Sequence, residues 1–580
     1  MSHAISLNFF SPNKKPLWLR GLFYTLDRLL GIKKLDEMYQ AEQMQGLSKE
    51  EFALKLIKTL DLQIDGVDEL INSIPKTGPL VMASNHPFGG IEGVFLAWAI
   101  GQVRPDLKIL VNQGLKVFPE LKDYFIFTNP LRENDPKNIA SLRLALKHVK
   151  ENKALLIFPA GRVSYYRKDK GRISEHKWNK IVGRLAKISG VQYLPIFVEG
   201  KNSSLFYFLG RIYYRFRLLM LARELLNKKG KRVSVSSGSV MTSDDFNHAI
   251  NSEECAQLCR TLSYTQDPHW KYQWSTNQEQ ILKPIADETP GEILLNELEA
   301  LPENQNLVSH KNFSVYFCYK KQAPQVIHEI SRLREIVFRQ HDEGSGEPID
   351  TDHFDDTYIH LLLFDKDKKK IAGAYRLGAT DRLLSNGGLK SLYLNQMFEF
   401  KKTFVNQKQD CLEMGRSFLT PEYQKSYQGL YMLWKGIGAF LCQFPKYKTL
   451  YGTVSISKEY SPKSVAIIKE ALVNENKSVL ARKEFEFQAH PEIQDFNKDY
   501  CLRDNIQTFI SAIEPDNKGV PILLRHYMGL GAKFHCLGLD PNFNETPGLL
   551  LSVDVSDIPE KTLKFYMGKG YQSYKSQIND

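Results

Sequence analysis

Cysteine is scarce in this chain. The seven cysteines of 580 residues, at 255, 259, 318, 411, 442, 501 and 536, are odd in number and scattered. That pattern does not fit a disulfide framework. Cys255 and Cys259 stand four apart in a helix-like stretch, but no second Cys/His pair at metal spacing joins them. Reduced thiols and no metal are expected. Long hydrophobic runs are also missing: no stretch of about 18–20 uncharged apolar residues is present to cross a bilayer. Lys14, Lys15 and Arg20 break the N-terminus where a secretory signal needs a continuous apolar core. A cytoplasmic chain is expected. Acids fall short of bases, 66 against 77, for a net charge of +11. No zinc-finger, RNP-like or helix-turn-helix pattern accompanies that charge, so no nucleic-acid partner is expected. At 42% hydrophobic and 25% charged, the composition is that of a globular chain with ample core.

What is present begins at the apolar run Pro79–Ser84, read as a buried strand. It ends in Asn85-His86-Pro87-Phe88-Gly89-Gly90-Ile91-Glu92-Gly93. An imidazole at a strand end, with a carboxylate six positions later across a Pro/Gly turn, makes a general base for a hydroxyl. The same residues also suit a plain turn followed by a helix whose first-turn acid is Glu92. A second strand, Ala154–Leu156, leads into Ile157-Phe158-Pro159-Ala160-Gly161-Arg162-Val163-Ser164. Arg162 there is either a phosphate or carboxylate contact or a solvated turn residue. A third strand, Tyr193–Val198, ends at Glu199-Gly200-Lys201.

These blocks resemble the PlsC-type glycerolipid acyltransferases, in particular their hemolysin-like branch, over roughly residues 20–270. The common form places Asp five positions after His and reads Phe-Pro-Glu-Gly-Thr-Arg in the second block. Here Glu92 is six on, and the block is Phe158-Pro159-Ala160-Gly161-Arg162-Val163. Those departures favour a lyso-aminolipid over lysophosphatidate. The resemblance implies that His86 deprotonates a lipid hydroxyl attacking an acyl thioester, while Glu92 orients the ring. Asn85, Gly89, Gly90, Phe158, Pro159, Gly161 and Arg162 would line the substrate site.

From Arg211 to Arg232 eight Arg or Lys accompany one acid, Glu224, among Ile212, Tyr213, Tyr214, Phe216, Leu218, Leu219, Met220 and Leu221. Such a stretch suits an anionic membrane surface, or else a core-facing helix with a solvated basic face. Trp18 to Ile32, with apolar residues at helical spacing, has the same two readings. A peripheral position on the inner face of the cytoplasmic membrane is expected.

Lys283-Pro284, Glu288-Thr289-Pro290-Gly291 and Pro302–Asn306 punctuate the chain. They divide it into domains 1–285 and 313–580 with a linker at 286–312, which includes a short acidic helix. The pattern then restarts with a strand at Phe313–Tyr319, a helix at Ala323–Arg339, and strands at His360–Asp365 and Lys370–Leu377. Arg332–Phe338, Asp350–Asp355, Gly373–Leu377, Leu412–Ser417 and Leu433–Ile437 resemble the GNAT fold shared by acyl-homoserine lactone synthases and ornithine-lipid N-acyltransferases. The expected fold is thus α/β, a PlsC-like domain followed by a GNAT-like domain with a mixed sheet.

By that resemblance Asp352, Asp355 and Glu413 would hold an amino acid's ammonium and assist proton removal. Arg334, Arg376 and Arg416 would lock the acids or bind a carboxylate. The same set also reads as a structural ion-pair network. The usual GNAT pyrophosphate loop is not cleanly present, since Gln424–Gly429 has the wrong spacing. That favours acyl carrier protein over acyl-CoA as donor, with no tightly bound cofactor, and an acidic carrier suits the positive charge.

Joined, the halves imply a bifunctional enzyme. The C-terminal domain would N-acylate an amino acid, ornithine first and glycine second, with a 3-hydroxyacyl chain. The N-terminal domain would then O-acylate the lyso-lipid. The alternatives are a glycerolipid acyltransferase with a GNAT-like appendage and a hemolysin-like membrane-interacting protein.

Overall fold

The computed structural model describes residues 24–112, 118–128, 136–214, 216–274, 282–404, 410–425, 427–474 and 477–579. The chain forms two compact units, and each is discontinuous in sequence. Unit 1 comprises 1–271 and 490–518, and unit 2 comprises 272–489 and 519–580.

Unit 1 holds an eight-stranded sheet. Its strands are β1 (Gln63–Asp65), β2 (Leu80–Ser84), β3 (Lys108–Asn112), β4 (Phe125–Thr128), β5 (Ala154–Ile157), β8 (Gln192–Glu199), β9 (Arg232–Ser237) and β10 (Met241–Thr242). A separate hairpin pairs β6 (Tyr165–Arg167) with β7 (Arg172–Ser174). The sheet order is β1-β9-β8-β2-β5-β3-β4, with β10 on β8. β2 runs parallel to both β8 and β5, and every residue of β2 and β5 is buried. The continuous apolar runs read from the sequence therefore belong to strands covered on both faces. From β2 the chain passes through helix Ile91–Gly101 to β3 on one side, and from β5 through helix Lys180–Ala186 to β8 on the other. The ends of β2 and β5 thus form a topological switch point, where an open α/β sheet leaves a crevice.

The segment 490–518 contributes helices Pro491–Asp499 and Leu502–Ile513 to unit 1. Glu492 pairs with Arg260, both buried, and Asn505 donates to Glu254 Oε1 at 3.0 Å. Local composition gave no sign of this return.

Unit 2 is built on β11 (Asn306–His310), β12 (Phe313–Cys318), β13 (Ile359–Asp365), β14 (Lys370–Ala379), β16 (Cys411–Leu419), β17 (Thr449–Ser455), β19 (Lys533–Asp540) and β20 (Thr546–Asp554). Two short strands, β15 (Phe398–Phe400) and β18 (Val479–Ala481), pair apart from it. The order β11-β12-β13-β14-β16-β17-β20-β19 is antiparallel except between β16 and β17. Tyr316 packs with Val326, Ile327 and Ile330 of helix Pro324–Arg339. Its neighbour Val315 meets helix Tyr427–Gln443, where a Cβ on Gly436 would fall 2.3 Å from Val315 Cγ1. Adjacent strand residues face opposite ways, so the two helices cover opposite faces of the sheet.

The stretch 286–312 expected to be a linker is part of this unit. Helix Gly291–Glu299 buries Leu294 and Leu298 in the core, and β11 is the edge strand of the sheet. The Pro and Gly residues that suggested a linker mark its turns instead. The units part at 271/272, earlier than the expected 285.

Candidate functional site

In unit 1 the turn after β2 gathers around one carboxylate. Glu92 opens helix Ile91–Gly101 and is fully buried. Its Oε1 accepts the N–H groups of Phe88 and Gly89 at 2.9 and 2.8 Å, and its Oε2 that of Gly90 at 2.9 Å. His86 Nδ1 lies 2.9 Å from Glu92 Oε1, misaligned for a hydrogen bond, and the contact becomes an ion pair when the ring is protonated. Burial pushes the Glu92 carboxyl up, and His86 with the turn N–H groups pulls it down further, to about 2. Burial lowers the His86 imidazole, but the carboxylates of Glu92 and Glu175 more than reverse this, and the pKa is raised. The other ring nitrogen, Nε2, is left for an acceptor.

Phe158 lies against the imidazole, with ring centroids 4.8 Å apart. The switch point thus brings the β2 and β5 blocks together. Gly161 adopts φ 64° in the turn after Phe158, and the Pro159 carbonyl accepts from Asn179 N–H at 3.0 Å. Asn85 is used in the sheet: its side-chain amide donates to Val198 O at 2.8 Å and accepts from Val198 N–H at 2.7 Å. Gly89 and Gly90, expected to approach a substrate, give their N–H groups to Glu92. Gly89 is required for another reason. Its φ is 97°, and a Cβ there would fall 2.5 Å from Leu221 and 2.6 Å from Val163.

Sequence reasoning missed Glu175. This buried acid accepts the His86 backbone N–H on one oxygen and the Trp178 indole N–H, at 2.9 Å, on the other. The signal available was the acid next to His176, directly after the β6–β7 hairpin. Arg162 is exposed and lies 3.4 Å from His176 Nε2. Burial, with Arg162, Arg167 and Arg217 nearby, lowers the His176 pKa to about 4, so its ring adds no charge near neutrality.

The basic stretch forms the end of helix Ser204–Ile212 and helix Phe216–Leu226. Phe208 and Ile212 are 60% and 63% exposed, with Tyr213, Tyr214, Phe216, Leu218 and Leu219 also open. Arg211 and Arg217 stack on Tyr166 and Tyr165 at 3.9 and 4.5 Å. Of the other candidate amphipathic segment, Trp18, Leu19, Leu22 and Phe23 lie outside the described residues, as do Lys14, Lys15 and Arg20. Gly31, at φ 75°, breaks its helix before Ile32. Among the described residues no helix is long and apolar enough to cross a membrane.

In unit 2 the candidate acids and arginines come together from separate elements. Arg334 reaches Asp355 with both Nη atoms, at 3.0 and 2.8 Å. Arg376 Nη1 donates to Asp352 at 2.6 Å and to Asp355 at 3.0 Å. The two guanidiniums hold the buried Asp355 carboxyl far below the usual carboxylate range against its desolvation. Asp352 is lowered in the same way, chiefly by Arg376 against burial. His360, buried beside them, falls to about 4.

In front of this network lies a polar cleft of about 680 Å³, lined among others by Gly344, Ser345, Asp350, Asp352, Gln396 and Arg416. Asp355, Arg334, Arg376 and Glu413 stand behind it. Glu413 is buried, with Tyr358 and Tyr451 hydroxyls donating at 2.9 and 3.2 Å and Leu394 N–H at 3.2 Å. Burial pushes it up to about 7.

Arg416 lies within a bulge in the β14–β16 pairing, between the paired Gly415 and Phe418, with φ 50°, and packs over Phe543 at 4.1 Å. A bulge re-aims a side chain, here into the cleft. Arg416 Nη2 donates to Asp352 at 3.4 Å, whereas among the described residues Nη1 and Nε are buried without a hydrogen-bond partner. Asp350 Oδ2 is in the same condition, 3.5 Å from Arg416 Nε and 3.1 Å from Arg334 Nε but misaligned with both. Beside the cleft β16 and β17 pair only from Cys411/Thr449 to Met414/Gly452 and then part, and a Cβ on Gly415 would meet open space. Gln424–Gly429 spans the end of one helix and the start of the next, with Ser426 outside the described residues.

Residues 23–267 match a family model described as acyltransferase, and residues 333–435 one described as acetyltransferase (GNAT) domain. The chain is 28% identical over 299 residues to a glycine N(alpha)-acyltransferase of Bacteroides thetaiotaomicron, covering 48% of this chain and 86% of that one. It is 24% identical over 201 residues to a lyso-glycine lipid O-acyltransferase of Phocaeicola vulgatus, covering 33% and 70%. To an L-ornithine N(alpha)-acyltransferase of Agrobacterium fabrum it is 26% identical over 243 residues, covering 41% and 78%. The chain is an acyltransferase enzyme, with an acyltransferase domain in its N-terminal part and a GNAT-like domain in its C-terminal part.

Proposed function

We propose that the protein makes an aminolipid in two acyl transfers. Unit 2 N-acylates an amino acid with a 3-hydroxyacyl thioester, and unit 1 O-acylates the hydroxyl of that product. The observation that carries this reading is the pair of unmet groups in the unit 2 cleft, Arg416 Nη1 and Asp350 Oδ2. Buried groups without aligned hydrogen bonds are costly, and a cation beside an anion in one cleft suits a zwitterion. The amino acid's carboxylate lies on Arg416, and its ammonium lies toward Asp350 and Asp352. Asp355, Arg334 and Arg376 fix those groups from behind, and Glu413 positions the Tyr358 wall. Glycine is the preferred acceptor over the ornithine placed first above, because relatives named for glycine occur at both steps.

Where β16 and β17 part, unpaired backbone groups offer an extended thioester arm the hydrogen bonds that a neighbouring strand would make. An acyl carrier protein, with an acidic surface suited to this basic chain, is the proposed donor. In unit 1, His86 Nε2 takes the hydroxyl proton as the oxygen attacks the thioester carbon. The C–S bond breaks, and the thiolate leaves with that proton. Glu92 holds the imidazolium. Arg162 faces the acceptor's carboxylate. The exposed apolar side chains of Phe208, Ile212, Tyr213, Phe216, Leu218 and Leu219, with Arg211 and Arg217, rest on the anionic inner face of the cytoplasmic membrane, where the lyso-lipid resides.

The test is lipid mass spectrometry in a host lacking aminolipids. Wild type gives diacylated aminolipid, His86→Ala accumulates the lyso-form, and Arg416→Ala gives neither. Full product from His86→Ala would refute the mechanism, and the head group identifies the amino acid.

A further inference from the structure

We propose that Glu343 takes the proton from the attacking amine in unit 2, as the general base of N-acyl transfer. This rests on the amino-acid N-acylation proposed above and adds the group that starts it. Asp342, left-handed at φ 59°, stops helix Pro324–Arg339, and Glu343 N–H donates to Phe338 O at 2.9 Å. The next residues, Gly344 and Ser345, line the cleft. The Glu343 carboxylate accepts from the Ser455 hydroxyl at 3.4 Å. Ser455 lies on β17 beyond Gly452, where pairing with β16 has ended, and Arg416 lies on β16 beyond Met414. Glu343 therefore touches one wall of the parting strands and feels the charge on the other. An amine anchored at Arg416 and a thioester arm between the strands would meet beside it.

Glu343 is 7% exposed, and among the described residues it has no ion pair. The charged groups acting on it are Asp540 of β19 and Glu459 of the loop after β17, which raise its proton affinity, and Arg416, which lowers it. Burial dominates, and the pKa is pushed up to about 7. A carboxylate poised there accepts and releases a proton readily near neutrality. Glu413 titrates in the same range, but three donors hold its oxygens, whereas Glu343 accepts from the Ser455 hydroxyl and adjoins the cleft-lining Gly344.

In the step, the ammonium gives one proton to Glu343, and the freed nitrogen attacks the thioester carbonyl carbon. The C–S bond breaks, and the departing thiolate takes the second nitrogen-borne proton as the amide forms. Glu343 then releases its proton to solvent. One ammonium and one thioester yield one amide, one thiol and one proton.

The experiment follows thiol release by the full chain with acyl-carrier thioester and glycine or ornithine, from acid to alkaline pH. E343Q is expected to lose about 10²–10⁴-fold in kcat near neutrality, with KM for the amino acid little changed. Its deficit should shrink as pH passes the amine's own pKa, because the free amine needs no base. S455A, at an exposed position, should retain the fold and move the acid limb to higher pH, since the hydroxyl lowers the Glu343 pKa. Wild-type kcat in E343Q, a deficit constant across pH, or an unmoved limb in S455A overturns the base assignment. A wild type that acylates neither amino acid overturns the acceptor reading instead.

Discussion

The His86–Glu92 pair and the Asp355–Arg334–Arg376 network each centre on a buried carboxylate, yet they are built in opposite ways. The first lies within seven consecutive residues, and its carboxylate is held by the N–H groups of its own turn. The second draws on a helix, a loop and a strand separated in sequence. A group fixed by its own turn can be altered with little effect on the fold around it. A group that joins distant elements is part of what holds them together. Damage to the first should therefore appear as lost rate, and damage to the second as lost stability.

The sharpest break of this comparison is His86→Ala, which should cost O-acylation about 10²–10⁴-fold while leaving the urea midpoint near wild type at alkaline pH, above the raised His86 pKa. Kinetics with a lyso-aminolipid acceptor would check it. A variant that lost stability instead would place both pairs in one class. Next is Asp355→Ala. It leaves two buried guanidiniums short of their partner and should destabilise unit 2 by about 3–5 kcal/mol, measured by urea unfolding. Glu92→Gln keeps an oxygen for the turn N–H groups but removes the charge beside His86. It should lower O-acylation about 10²-fold, the lower end of the general acid–base range, and move the acid limb of the pH–rate profile to lower pH.

The two sites should also respond to pH in opposite senses. His86 has a raised folded pKa, so its contribution to stability is full below its ordinary value of about 6.5 and is lost as pH rises through the raised one. Asp355 has a depressed pKa, so its contribution is present above about 3.9 and is lost as pH falls through the folded value. Urea midpoints against pH for wild type, His86→Ala and Asp355→Asn should show the first variant flattened only on the neutral-to-alkaline side. The second should be flattened only on the acid side. The smallest effect belongs to Arg162→Ala, which should raise KM for the lyso-lipid by about 2–5-fold, as an exposed charge does, with kcat unchanged.

The same contrast explains what could be read from sequence. His86, Glu92 and Phe158 were legible because strand ends and their turns are local, and the apolar runs of β2, β5 and β8 report burial on both faces. The arginines and aspartates of unit 2 were legible as a set, but which of them face the cleft was not. Arg416 gains its direction from a bulge that no local pattern announces, and Glu413 is placed behind by Tyr358 and Tyr451. Glu175 and Glu343 were missed because each matters through a partner far along the chain, His86 for one and Ser455 for the other. The supposed linker misled because Pro and Gly punctuate turns within a domain as readily as between domains.

The return of residues 490–518 to unit 1 bears on how the protein is made. During synthesis the ribosome completes the sheet around His86 early, but Arg260 is then still without Glu492. At about 5–20 residues per second, the intervening part of unit 2 takes tens of seconds to emerge. Throughout that interval unit 1 lacks two helices and the counter-charge of a buried arginine. The domain that begins first therefore cannot finish first, and nascent chains stalled before residue 490 should be the ones that chaperones and proteases hold.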